Sequence, residues 1–141
     1  MPASRSPGSL SLWLPVAVYM AAIFIASSAS MPPGADLVPD KVVHAGIYGG
    51  LAVVVLRALG RGLRYPSSWS HTLWAVALTG LYGLSDEIHQ SFVPLRQADP
   101  ADLLADVLGA TAAVLLTRAI VGARSARDAS AAEQAARGRG V

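Results

Sequence analysis

The chain has no cysteine. Disulfides, thiolate metal sites and a cysteine nucleophile are excluded together. Charge is scarce as well. Charged residues make up 14% of the 141, against about 25% in an ordinary soluble domain. There is no His-Glu-x-x-His zinc motif, no serine nucleophile elbow and no phosphate-cradling glycine loop. No internal repeat stands out. What the chain has instead is apolar surface: 53% hydrophobic residues and a mean hydropathy of +0.47. At this length one domain is expected, and the class is a small polytopic membrane protein.

Four apolar runs carry that hydropathy: Leu12–Ser28, Val42–Leu59, Thr72–Gln90 and Ala101–Val121. A spanning helix needs roughly 17 to 25 residues, and each run reaches the lower part of that range. Backbone groups in lipid must satisfy one another, so the runs are expected to be helices. The fold predicted is all-α, an integral membrane four-helix bundle, with both termini cytoplasmic. Residues 1–11 form a polar head, 12–121 the four-helix transmembrane domain, and 122–141 a basic, Ala-rich tail. That tail reads as disordered or a frayed helix. Gly46, Gly49, Gly50, Gly80, Gly83 and Gly109 permit close helix approach. The first run also has the basic start and small residues of a cleavable signal peptide, a lesser alternative.

Charge segregation sets the orientation. Arg5, then Arg57, Arg61 and Arg64, then Arg118, Arg124 and Arg127 fall in the head, second loop and tail. The first and third loops hold only Lys41 and Arg96. The positive-inside rule puts both termini in the cytoplasm and those two loops outside. Seven of the nine acids (Asp36, Asp40, Asp86, Glu87, Asp99, Asp102 and Asp106) then lie on the outer side, with His44 and His89.

Helical spacing arranges this outer rim. Asp40, His44 and Tyr48 are spaced i, i+4, i+8, on one face. Tyr82, Asp86 and either His89 or Gln90 share a face of the third run. Glu87 sits about 100° round from Asp86, so the two acids cannot aim at one partner. Asp99, Asp102 and Asp106 form a stripe on the fourth run. Arg96 is the only arginine on the rim, in a loop stiffened by Pro94 and Pro100. Ionisable groups at membrane depth usually have a partner or a function.

These pieces together resemble the VanZ-like family. The matching segments are Asp40-Lys41-Val42-Val43-His44 with Tyr48; Tyr82 with Ser85-Asp86-Glu87-Ile88-His89-Gln90; Phe92-Val93-Pro94-Leu95-Arg96; and Asp99, Asp102 and Gly109-Ala110. Ser27-Ser28 also fits. The resemblance runs from about Leu12 to Val121. One departure is Asp106, where the family pattern often has asparagine; an added acid there bears on ion binding and proton balance. The resemblance implies a cell-membrane protein associated with low-level resistance to teicoplanin, a glycopeptide antibiotic.

Several mechanisms stay open. An outward pocket of Asp40, His44, Tyr48, Tyr82, Asp86, Glu87, His89, Gln90, Arg96, Asp102 and Asp106 would bind a lipid-linked cell-wall precursor or a glycopeptide. Arg96 would clamp its phosphate or carboxylate. Alternatively a membrane-embedded enzyme would use His44 as general base, oriented by Asp40, with Asp86 or Glu87 as acid. A divalent-metal site from His44, Asp86, His89 and Asp102 is a lesser variant, and no cofactor or metal is assigned. An oligomeric transporter, or a purely structural polar network, completes the set. Membrane lipids are the expected surroundings. Nucleic acid is not an expected partner, because the basic residues are split between tails and a short loop.

Overall fold

Apolar runs with polar punctuation fold here into four helices: α1 (Ser9–Ser27), α2 (Asp40–Leu59), α3 (Trp69–Gln90) and α4 (Pro100–Arg137). The structure is a computed structural model that describes residues 8–30, 39–94, 96 and 98–139. Arg5, Pro32, Pro33, Gly34, Asp36 and Leu95 lie outside the described residues.

The helix boundaries follow local chemistry. Ser68 caps α3, its hydroxyl oxygen accepting from the His71 N–H at 3.2 Å. Asp99 caps α4 through the Ala101 N–H at 2.8 Å, and Pro100 follows at the first turn, where its missing N–H costs nothing. Between α2 and α3 the chain reverses through Arg61 (φ 55°) and Gly62 (φ 126°).

Three helices, α1, α2 and α4, are long and apolar enough to cross a membrane. α3 has the length, 22 residues, but concentrates Asp86, Glu87, His89 and Gln90 in its last turn. Many large apolar side chains face outward, among them Leu14, Val18, Leu73, Leu81, Leu108 and Leu116. In water this would be an aggregation surface; in a bilayer it is the lipid-facing one. At 38 residues α4 is about 57 Å long, far more than a hydrocarbon core of about 30 Å. Its C-terminal turns must leave the bilayer. The segment after Gly122, read from sequence as disordered or a frayed helix, is helical as far as Arg137.

α2 is the central element and packs against all three others. Its Tyr48, Leu51, Ala52, Val55 and Leu56 form the core with Ala75 of α3, Ala110 and Val114 of α4, and Leu12, Val16 and Ile23 of α1. α2 and α4 touch backbone to backbone at glycine: a Cβ on Gly109 would collide with the Ala45 backbone, and one on Gly49 would lie 3.1 Å from the Gly109 carbonyl oxygen. Small residues at a crossing are how membrane helices gain contact when lipid removes the hydrophobic drive. Gly46, by contrast, faces open space. At the basic end, Arg118 of α4 donates to the Ser67 carbonyl and stacks 4.2 Å from the Trp69 ring centroid. At the other end the C-termini of α1 and α3 meet the N-termini of α2 and α4. The rim residues that the structure describes gather there.

Candidate functional site

Asp86 is the hub of the rim. It lies on α3 and is 4% exposed. Its Oδ1 accepts from the Ser27 hydroxyl of α1 at 2.6 Å. Its Oδ2 accepts from the Tyr48 hydroxyl of α2 and from Gln90 Nε2, each at 3.0 Å. One carboxylate thus ties three helices. It is an acceptor already supplied by three donors, which suits an anchor better than a proton donor or a metal ligand. Ser27 matched the family pattern but was not among the expected site residues. Nothing within its own helix marks it, since its partner is 59 residues away.

Beside this hub stands a second, separate group. His44 Nδ1 is 2.9 Å from Asp106 Oδ1. Both are buried, Asp106 completely. The sequence spacing makes Asp40 the partner that orients His44; the partner found is Asp106, on another helix. Asp40 is exposed at the start of α2. Glu87, whose position a quarter-turn from Asp86 allows a solvated reading, is only 6% exposed. Its Oε2 accepts from the Asp99 N–H at 3.0 Å. Glu87 and Asp86 do aim at different partners.

A third group closes the rim toward α4. Lys41, the one lysine of the chain, donates to Asp99 Oδ2 at 2.9 Å and to Asp102 Oδ1 at 3.0 Å. The Ala101 N–H, and then the Lys41 ammonium, hold the Asp99 carboxyl below the usual aspartate range. Lys41 and Asp99 are not among the expected ligand-binding residues, and a pairing across 58 residues leaves no signal along either helix.

The remaining expected residues divide. His89 turns to α1, with Nε2 3.0 Å from the Ser28 hydroxyl and its ring stacked on Phe24 at 4.5 Å. Of the two candidates to share a face with Asp86, Gln90 is the one that does. Tyr82 donates to the Met20 carbonyl at 2.7 Å and serves as a strut between α3 and α1. Arg96 lies across the mouth, its Nε donating to the Ala29 carbonyl at 3.1 Å and one terminal nitrogen to Gln90 Oε1 at 3.4 Å.

These walls enclose a cavity of about 110 Å³ between α1, α2 and α3. Ile23, Ala26, Val43 and Ile47 give it apolar sides, while Asp40, His44, Tyr48, Asp86, Gln90 and Arg96 supply polar groups. A second cavity, about 270 Å³, opens between α3 and the start of α4, with Glu87 and Asp99 in its lining. Ligating atoms of His44, Glu87 and Asp106 fall within 4.8 Å of one another, as do those of Asp40, His44 and Asp102. The metal set expected from sequence, His44, Asp86, His89 and Asp102, is not one of these groupings. Asp86 and His89 are engaged with α1.

The family model described as VanZ/LLP1 matches residues 11–121, a span that contains all of α1–α3 but Ser9 and Leu10, and the α4 rim. No curated protein and no solved structure matches the chain significantly.

Proposed function

Because the chain belongs to the VanZ/LLP1 family through all four of its helices, we propose that its rim cavity binds a cell-envelope amphiphile on the extracytoplasmic side of the membrane and so affects susceptibility to glycopeptides such as teicoplanin. The observation that carries this reading is the cavity itself. Apolar walls beside a cluster of fixed polar groups and one guanidinium suit a molecule with a chain and an anionic head. Arg96 has five N–H donors, and two meet protein acceptors among the described residues. The others fit a phosphate or carboxylate, the head of a lipid-linked cell-wall precursor or the acidic groups of a glycopeptide.

The outward orientation rests on charge. Arg57, Arg61, Arg64 and Arg118 cluster at the end opposite the rim, and cytoplasmic ends carry the arginines. A C-terminal reporter fusion that is active in the cytoplasm supports this topology; activity confined to the far side overturns it.

The function is tested in cells expressing the wild type and Arg96→Gln, His44→Ala and Asp86→Asn variants, with teicoplanin susceptibility and protein abundance measured together. Arg96→Gln is expected to remove the effect, and any co-purifying anionic lipid seen by mass spectrometry, at unchanged abundance. A wild type with no effect on susceptibility sinks the glycopeptide part. An effect that tracks abundance alone makes the rim a scaffold.

A second reading, acid–base chemistry on a lipid-linked substrate, is favoured by the His44–Asp106 pair, which fixes an imidazole in the cavity lining. The three donors on Asp86 count against the version in which Asp86 is the acid. Release of a cleaved headgroup by the wild type and not by His44→Ala distinguishes this reading from binding.

A further inference from the structure

Two buried oxygens at the rim have no hydrogen-bond partner among the described residues: Glu87 Oε1 and Asp106 Oδ2. Leaving a buried acceptor unmet is costly, most of all for a charged group, and lipid offers no water to relieve it. Both oxygens belong to carboxylates whose other oxygen is anchored, by the Asp99 N–H and by His44 respectively. Glu87 is therefore held by one oxygen and presents the other, whereas at Asp106 an ion would take the place of the hydrogen between His44 Nδ1 and the carboxylate, because that nitrogen cannot donate and ligate at once. With His44, ligating atoms of these two acids converge within 4.8 Å, all three residues are buried, and each comes from a different helix.

We infer that His44, Glu87 and Asp106 form a binding site for one divalent transition-metal ion. Charge favours it: two carboxylates and a neutral imidazole around a 2+ ion sum to zero, the cheapest state for a buried group. Donor type narrows the ion. One imidazole and two carboxylates suit zinc, manganese and ions of similar softness. At metal–ligand distances of about 2.0–2.2 Å, ligand atoms on a tetrahedral ion lie about 3.4 Å apart, so atoms grouped within 4.8 Å would draw together around it. Room is provided as well. A Cβ on Gly83 would stand 2.7 Å from Asp106 Oδ2, so glycine is what leaves space for that oxygen. His44 lines one cavity and Glu87 the other, so the grouping lies between two spaces at the rim.

The competing triad, Asp40, His44 and Asp102, is the weaker ligand set. Asp102 is already bound by the Lys41 ammonium, and Asp40 is exposed. The inferred site does not depend on what the rim cavity binds, and it stands or falls separately.

The test uses the full chain in detergent, purified without a histidine tag, stripped with chelator and dialysed against zinc or manganese. One equivalent per chain is expected, with a rise in the thermal midpoint. Glu87→Gln and Asp106→Asn should each weaken binding at least tenfold and abolish that rise. Asp106→Asn keeps an acceptor for His44, and unchanged helical circular dichroism verifies its fold. Asp40→Asn should alter affinity less than threefold. Cobalt substitution should give the visible spectrum of a nitrogen–oxygen site. No stoichiometric binding, or binding indifferent to Glu87→Gln and Asp106→Asn, overturns the inference; the orphan oxygens then hold protons. Loss of binding in Asp40→Asn equal to that in Glu87→Gln also overturns it, by moving the ion to the Lys41 side.

Discussion

Asp106 Oδ1 lies 2.9 Å from His44 Nδ1, a pairing that joins α4 to α2 and buries both groups. Removing one member of a buried hydrogen-bonded pair leaves the other unmet, typically at a cost of about 1–3 kcal/mol, and more where the group is charged. Keeping the acceptor while removing the charge is much milder. Asp106→Ala should therefore lower the unfolding free energy by about 3 kcal/mol, and Asp106→Asn by less than about 1 kcal/mol. Thermal or denaturant unfolding in detergent compares the two. Equal losses would mean that the pair acts through its charge and not through the hydrogen bond.

Asp86 offers a different contrast, because its three donors come from three helices. Tyr48→Phe removes one donor and should cost about 1 kcal/mol. Asp86→Ala strands the Ser27 and Tyr48 hydroxyls and the Gln90 amide, and should cost at least about 2 kcal/mol. In the Asp86→Ala background Tyr48→Phe should be nearly neutral, since the hydroxyl has already lost its partner. A double-mutant cycle measures this coupling. Simple additivity would show that the Tyr48–Asp86 bond contributes nothing.

The same two residues mark what the sequence could and could not say. The four helices were readable because lipid demands long apolar runs, and the boundaries near Gly60, Gln90 and Pro100 were readable from loop glycine and proline and the charged last turn of α3. The end of α4 was not, since the apolar run stops at Val121 while the Ala-rich segment after it stays helical to Arg137. Which face Asp86 and Glu87 each take was readable from the helical period. The pairing of His44 was not. Spacing along one helix sees only neighbours three or four residues away, and it selects Asp40; the real partner is 62 residues off. Ser27 and Lys41 were missed for the same reason, since their partners lie 59 and 58 residues away. The burial of Glu87 likewise depends on how α4 packs, which no local pattern reports.

The Lys41 bridge should be sensitive to acid. The Ala101 N–H and Lys41 favour ionised Asp99, so its carboxyl titrates lower in the folded chain than the ordinary value of about 3.9. A depressed folded value means that the stabilisation is present above about pH 4 and is lost as pH falls through the folded value. From pH 5 to pH 8 this group should contribute no slope. Between pH 4 and pH 2.5 the wild-type thermal midpoint should fall more steeply than that of Asp99→Asn. Parallel curves would remove Asp99 from the acid response. The bridge is half exposed and screened by solvent, so Lys41→Met should lower stability only slightly at neutral pH.

Gly83 gives the sharpest test of how the rim is packed. An added methyl there would lie 2.7 Å from Asp106 Oδ2, 3.3 Å from the Tyr48 ring and 3.4 Å from Leu103. Only the first of these is a true overlap. Overpacking of this kind costs about 1–3 kcal/mol, while alanine in place of glycine within a helix returns up to about 1 kcal/mol. Gly83→Ala should therefore be net destabilising in the wild type. In the Asp106→Ala background the offending oxygen is gone, and the methyl helps to fill the space it vacated. There the same substitution should become neutral or stabilising, a change of sign that generic effects of alanine cannot produce. Unfolding of the four proteins in one detergent measures it. Additivity within about 0.5 kcal/mol would mean that Asp106 Oδ2 does not occupy the space opposite Gly83. The inferred metal site would lose one of its supports with it.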